Sequence, residues 1–141
     1  MSRCLVLHAE AMSALGGRST KRQREVRAAM SAAFRLGREV VVPAVVLAEL
    51  YRGRDHDQLL DACLSRETGE TGIYVRPTDR SMARLVGGIL AAAGVGSTFM
   101  VDAHVVAAAV ELGGGVVLTA DAGDLRKLSA PYRNVTVVDI G

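Results

Sequence analysis

Five short apolar runs, each separated from the next by segments of helical pattern, constrain this chain more than any other feature. Cys4–Leu7, Glu39–Val42, Ile73–Arg76, Val116–Thr119 and Val135–Val138 are four residues each, rich in Val, Leu and Ile. They show little of the in–out alternation of a strand with one wet face. A strand apolar on both sides must be covered on both sides, which is the situation of a parallel sheet between helical layers. Ala, Val and Leu dominate the core candidates, because there is no Trp and only 4% of residues are aromatic. With 141 residues, half of them apolar, the chain can bury a full core without disulfides or a structural metal. The expectation is one α/β domain over residues 1–141.

The intervening segments carry helix signals. Glu10–Leu15 stops at Gly16-Gly17, and Ser19 or Thr20 can cap a long basic helix ending near Gly37. Pro43 is placed to open a helix reaching Arg52-Gly53, where its missing N–H costs nothing. Further helices are expected over His56–Arg66, from a Thr78 cap to Ala93, from Ser97 or Thr98 to Leu112, and from an Asp121 cap to Leu128. Gly69–Gly72 and Gly113–Gly115 read as loops, and Arg52 to Asp57 as a solvated turn.

Composition excludes several classes. No apolar stretch of about 18 residues escapes charge; the longest, Phe99–Leu118, is broken by Asp102, His104, Glu111 and Gly113-Gly114-Gly115. No membrane span and no signal peptide are expected. Cys4 and Cys63 lack metal-ligand spacing and sit in apolar or helical patterns, so both read as reduced core thiols of a cytoplasmic protein. Net charge is +2, but Arg18, Lys21, Arg22, Arg24, Arg27, Arg35 and Arg38 fall in one segment against Glu25 alone. That face suits a polyanion, or simply solvent.

The acids carry the chemistry. Glu49 and Asp102 each interrupt an apolar helix, and Asp121 and Asp124 follow the fourth strand directly. Burying an unpaired carboxylate is expensive, so a basic partner, a cap, a shifted pKa or a cation is required. In an open parallel sheet, ligands bind beyond the carboxyl ends of the strands. Asp121 lies there directly. Glu49 lies on the helix leaving the second strand, and Asp102 near the start of the helix that returns to the fourth. Hard oxygen donors in an open site suit Mg²⁺ or Mn²⁺, ions that serve phosphodiester cleavage. Structural readings stay open beside this one: Asp121 as an N-cap with Asp124 in the first turn, Asp102 as a first-turn acid, Glu49 paired with an Arg. His104, two residues from Asp102, falls on the other side of its helix and reads as a packing or dimer-surface residue.

The order of these segments resembles the PIN-domain ribonucleases, especially the VapC-type toxins of toxin–antitoxin pairs. The resemblance rests on Leu5-Val6-Leu7-His8-Ala9-Glu10-Ala11, Pro43-Ala44-Val45-Val46-Leu47-Ala48-Glu49-Leu50, Val101-Asp102-Ala103-His104-Val105-Val106-Ala107-Ala108-Ala109 and Leu118-Thr119-Ala120-Asp121-Ala122-Gly123-Asp124-Leu125. It implies a PIN-like domain with a five-stranded parallel sheet flanked by helices on both faces. It also implies Mg²⁺- or Mn²⁺-dependent cleavage of RNA, a homodimer and an antitoxin partner. By the resemblance, Glu49, Asp102 and Asp121 are the catalytic, metal-site acids, Asp124 is a further acid, and Thr119 is the hydroxyl residue near them.

The family's first acid should fall at position 8, where this chain has His8. Three readings stand: neutral His8 as a Mn²⁺ ligand, protonated His8 as a cation in the metal's place, or His8 as an ordinary strand-end residue of an inactive domain. Glu10 is near in sequence but reads as short of the site. The functional alternatives are therefore a ribonuclease weakened by His8 and a catalytically inactive PIN-fold module that binds or dimerises. A phosphorylatable signalling domain fits less well, since His8 replaces the strand-end Asp and Lys127 falls on a helix.

Overall fold

The structure, a computed structural model, describes residues 3–66 and 72–141. The expected loop over Gly69–Gly72 lies outside the described residues except for Gly72. Strands β1 (Cys4–Leu7), β2 (Glu39–Pro43), β3 (Ile73–Arg76), β4 (Gly115–Thr119) and β5 (Val135–Asp139) form one sheet in the order β3-β2-β1-β4-β5. Every pairing is parallel, with Leu5 opposite Val40 on one side and Val116 on the other. Helices α1 (Ala9–Leu15), α2 (Lys21–Arg35), α3 (Ala44–Leu50), α4 (Arg54–Arg66), α5 (Arg80–Ala93), α6 (Met100–Glu111) and α7 (Ala122–Ser129) connect them.

All four residues of β1 are buried. Alternate strand residues face opposite sides of a sheet, so both faces at the centre are covered, as the apolar runs require. Helices α2 and α6 both pack on β1 and β2. The latter is buried continuously from Ala103 to Ala109, the signature of a central helix rather than a surface one. Burial also pushes the Cys4 thiol up to about 11, which leaves it protonated and inert. Cys63 is likewise buried. Among the described residues no helix is long and apolar enough to cross a membrane.

Several local expectations shift. Thr78 does not cap α5; Asp79 does, accepting the Met82 N–H at 2.9 Å. Asp79 also faces Arg76, whose fork grips Glu111 at 2.6 and 3.1 Å and ties β3 to α6. Pro43 closes β2 and stands at the N-cap position of α3, because its extended ψ of 140° belongs to the strand. The helix it precedes stops at Leu50, short of Arg52-Gly53. The Arg54-Asp55-His56-Asp57 segment begins α4 instead of forming a turn, since Asp57 accepts the backbone N–H groups of Arg52 and Gly53. Ser97–Phe99 forms a 3₁₀ turn that runs into α6. The cap from Thr20 is as read, accepting the Gln23 N–H at 3.1 Å.

Close sheet pairing sets a steric limit at Gly115, which opposes Cys4. A Cβ there would collide with the Cys4 carbonyl oxygen and lie 2.6 Å from its Sγ. Gly115→Ala is therefore expected to lose about 1–3 kcal/mol of stability in urea unfolding. An unchanged unfolding midpoint would contradict this account of the β1–β4 contact.

Candidate functional site: a histidine-bridged acidic crevice

The strand order reverses at the centre of the sheet. From β1 the chain passes to β2 and β3 on one side; β4 returns against β1 on the other, and β5 lies beyond it. The carboxyl ends of β1 and β4 thus flank the topological switch point, where open α/β sheets form crevices. His8 follows β1 there, and Thr119 ends β4. The His8 N–H donates to the Leu118 carbonyl at 3.1 Å, extending the ladder by one residue. Its backbone is extended, with φ −79° and ψ 176°, and it occupies the N-cap position of α1. The ring is held across the crevice.

Three side chains meet that ring. Nε2 lies 2.9 Å from Asp102 Oδ1, Nδ1 2.8 Å from Thr119 Oγ1, and Nδ1 3.4 Å from Glu10 Oε2. A carboxylate has no proton to give, so Nε2–H donates to Asp102. In the neutral ring Nδ1 accepts the Thr119 hydroxyl; in the imidazolium Nδ1–H donates to Thr119. Thr119 Oγ1 also accepts the Asp121 N–H at 2.9 Å, which ties the start of α7 to the same network. The Glu10 contact is electrostatic rather than a hydrogen bond: its Oε2 is buried and makes none. Burial alone disfavours the imidazolium. The hydrogen bond to Asp102 and the charges of Glu10, Asp102 and Glu49 outweigh it, and His8 is held above its ordinary value of 6.5.

The acids singled out by sequence have different fates. Asp102, in the first turn of α6, reaches the crevice and is bonded to His8. Glu49 is exposed on α3 and acts on His8 through its charge alone. Its solvation removes the penalty that an apolar helix seemed to impose. Asp121 is exposed and stands at the N-cap of α7, but its side chain makes no capping bond, so it is not the cap expected. Asp124 lies in the first turn of α7. None of Glu49, Asp102 and Asp121 pairs with an Arg or Lys among the described residues. His104 is buried, its Nδ1 bonded to the Met100 carbonyl at 2.8 Å, and its position agrees with a packing role.

Glu10 was read as falling short, and the structure corrects this. His8 is the N-cap residue and Glu10 stands two positions on, in the first helical turn, so their side chains share the helix entrance. The start of a helix directly after β1 was the signal that pointed to it.

With His8 bonded to Asp102, the crevice offers a divalent cation an incomplete set of ligands. Among the described residues no three His, Cys, Asp or Glu side chains converge as metal ligands. The physical reason is His8, whose ring lies against Asp102 and points a proton, rather than a lone pair, at its carboxylate.

No family model matches the chain, and no curated protein matches it. Its fold does match solved structures. A chain in the structure of FitAB bound to an IR36 DNA fragment superposes with a TM-score of 0.61 at 16% identity, covering 96% of this chain and 94% of that one. A chain of FitAcB from Neisseria gonorrhoeae gives 0.61 and 16%, covering 96% and 97%.

Because folding raises the His8 pKa above its unfolded value of 6.5, the folded state holds this proton more tightly. That stabilisation is complete below about 6.5 and is lost as pH rises through the raised folded value. Wild type is expected to lose stability over that window relative to His8→Gln, measured by urea unfolding at successive pH values. A His8 ring that titrates below 6.5 by NMR would refute it. With its all-parallel, five-stranded sheet between helical layers and its crevice at the β1–β4 switch point, the chain has the PIN-like α/β fold.

Proposed function

We propose that this chain is a PIN-type toxin of a toxin–antitoxin pair: a metal-dependent endoribonuclease whose hydrolysis of RNA phosphodiesters is attenuated by His8. Three findings support the reading. The fold is that of chains in FitAB, a PIN-type toxin–antitoxin complex. Asp102 and Asp121 reach or adjoin the switch-point crevice, Glu49 acts on it by charge, and none of the three has a basic partner beyond His8 among the described residues. The basic α2 offers a polyanion a complementary face.

The single observation that carries attenuation is the 2.9 Å bond between His8 Nε2 and Asp102. In the PIN type an acid at this position joins Glu49, Asp102 and Asp121, with Asp124 in support, around Mg²⁺ or Mn²⁺. Here an N–H donor takes its place. In an acidic crevice that would otherwise attract a cation, Asp102 takes its donor from within the protein. RNA and an antitoxin protein are the partners of this reading, with a homodimer as the assembly and the cytoplasm as the compartment.

The second reading, an inactive PIN-fold module that binds or dimerises, is favoured by the same His8 bond. One experiment separates them. His8→Asp exchanges the donor for a carboxylate, and with Mn²⁺ or Mg²⁺ it should cleave RNA faster than wild type by about 10- to 100-fold, the usual scale for repairing a metal site's surroundings. Adding Asp102→Asn to His8→Asp should abolish the gain. If His8→Asp, shown to be folded, cleaves no faster than wild type with either ion, the ribonuclease reading fails and the binding module remains.

A further inference from the structure

Beside the crevice lies a cleft of about 540 Å³ between α1 and the entrance of α2, within the span of about 300–1,000 Å³ usual for ligand pockets. It is lined by Glu10, Ser13 and Ala14 of α1, by Arg18 and Arg22 at the entrance of α2, and by Leu50 of α3. Glu10 belongs both to this cleft and to the group around His8, so the two spaces meet at that residue.

The basic wall is built rather than incidental. Thr20 caps α2, and the Gln23 side chain donates to the Gly17 carbonyl at 3.0 Å and the Leu15 carbonyl at 3.4 Å. These bonds fix the turn that carries Arg18 and the first helical turn that carries Arg22. Neither guanidinium has an acidic partner among the described residues, and both are exposed. Two unpaired forks on a fixed scaffold suit phosphate oxygens. In the same cleft, Ala14 and Leu50 give an apolar surface for a base or sugar. The buried Glu10 Oε2, which makes no hydrogen bond, would be satisfied by the N–H and hydroxyl donors that a nucleotide carries.

We propose that this cleft is a subsite for single-stranded RNA, with Arg18 and Arg22 gripping backbone phosphates and thereby leading the strand toward the His8 crevice. The inference rests on the RNA-directed reading above and deepens it. The sign of the wall decides the occupant: two unpaired arginines repel a cationic peptide segment and attract a polyanion.

The test is fluorescence anisotropy of a short labelled single-stranded RNA with the full chain, from low to physiological salt. Arg18→Ala/Arg22→Ala is expected to weaken binding by at least about tenfold, the scale of lost charge-assisted hydrogen bonds. It should also flatten the dependence of log affinity on log salt by roughly 0.7 for each phosphate contact removed. Arg84→Ala, at an exposed position on α5, should bind as wild type does. If the double variant matches wild type, or Arg84→Ala weakens binding as much, the cleft is not the subsite, while the ribonuclease reading stands or falls separately on His8→Asp. If wild type binds no RNA even at low salt, or the cleft takes a polyglutamate peptide in preference to RNA, the subsite is overturned as well.

Discussion

The His8 imidazole, held between Asp102 and Thr119 at the strand switch point, is the contact on which the character of this crevice depends. It joins three parts of the chain that are far apart in sequence: the end of β1, the first turn of α6 and the end of β4. Through the Asp121 N–H it reaches the start of α7. A carboxylate at position 8 would add negative charge beside Glu10 and Asp102. An imidazole supplies the balancing donor from within the protein. Asp102 is thereby given a hydrogen-bond donor, while Glu10 and Glu49 act on the ring through their charge.

That contact is possible only because the sheet is rigid around it. Residues of β1 are paired on both sides, and the His8 N–H continues the pairing to Leu118. Asp102 is delivered by α6, which is buried continuously from Ala103 to Ala109 and so has little freedom to shift. Helix α1 starts immediately after His8, so Glu10 is brought to the same entrance and links the crevice to the arginine-walled cleft. The site therefore has an acidic half, in which Asp102 is bonded to His8, and a basic half, in which Arg18 and Arg22 have no acidic partner among the described residues.

Much of the architecture was legible because it follows from local chemistry. Runs such as Val40-Val41-Val42 are apolar on both faces, which demands burial between layers, and Gly16-Gly17 mark the end of α1, whereas Gly87-Gly88 are carried inside α5. The departures have a common origin. Asp79 rather than Thr78 caps α5, with Arg76 alongside, and the register of the turn decides between the two neighbours. Glu49 looked costly inside Val45-Val46-Leu47-Ala48, but α3 turns that position to solvent, and a period read from seven residues could not tell which side would face outward.

For this protein the amino-acid order by itself determined the class of fold, the place of each strand, the basic character of α2 and the presence of acids after β1's neighbours. It also placed a histidine directly after β1. Those properties depend on side-chain type and spacing over a few residues, which the chain carries with it before folding. Tertiary structure alone decided that His8 bonds Asp102, that Glu10 reaches the ring, that Asp121 engages through its backbone and leaves its carboxylate uncapped, and that Arg18 and Arg22 wall a cleft opening beside them. Each of these is a distance between segments remote in sequence, fixed by how helices dock on the sheet, and no local pattern encodes a distance of that kind.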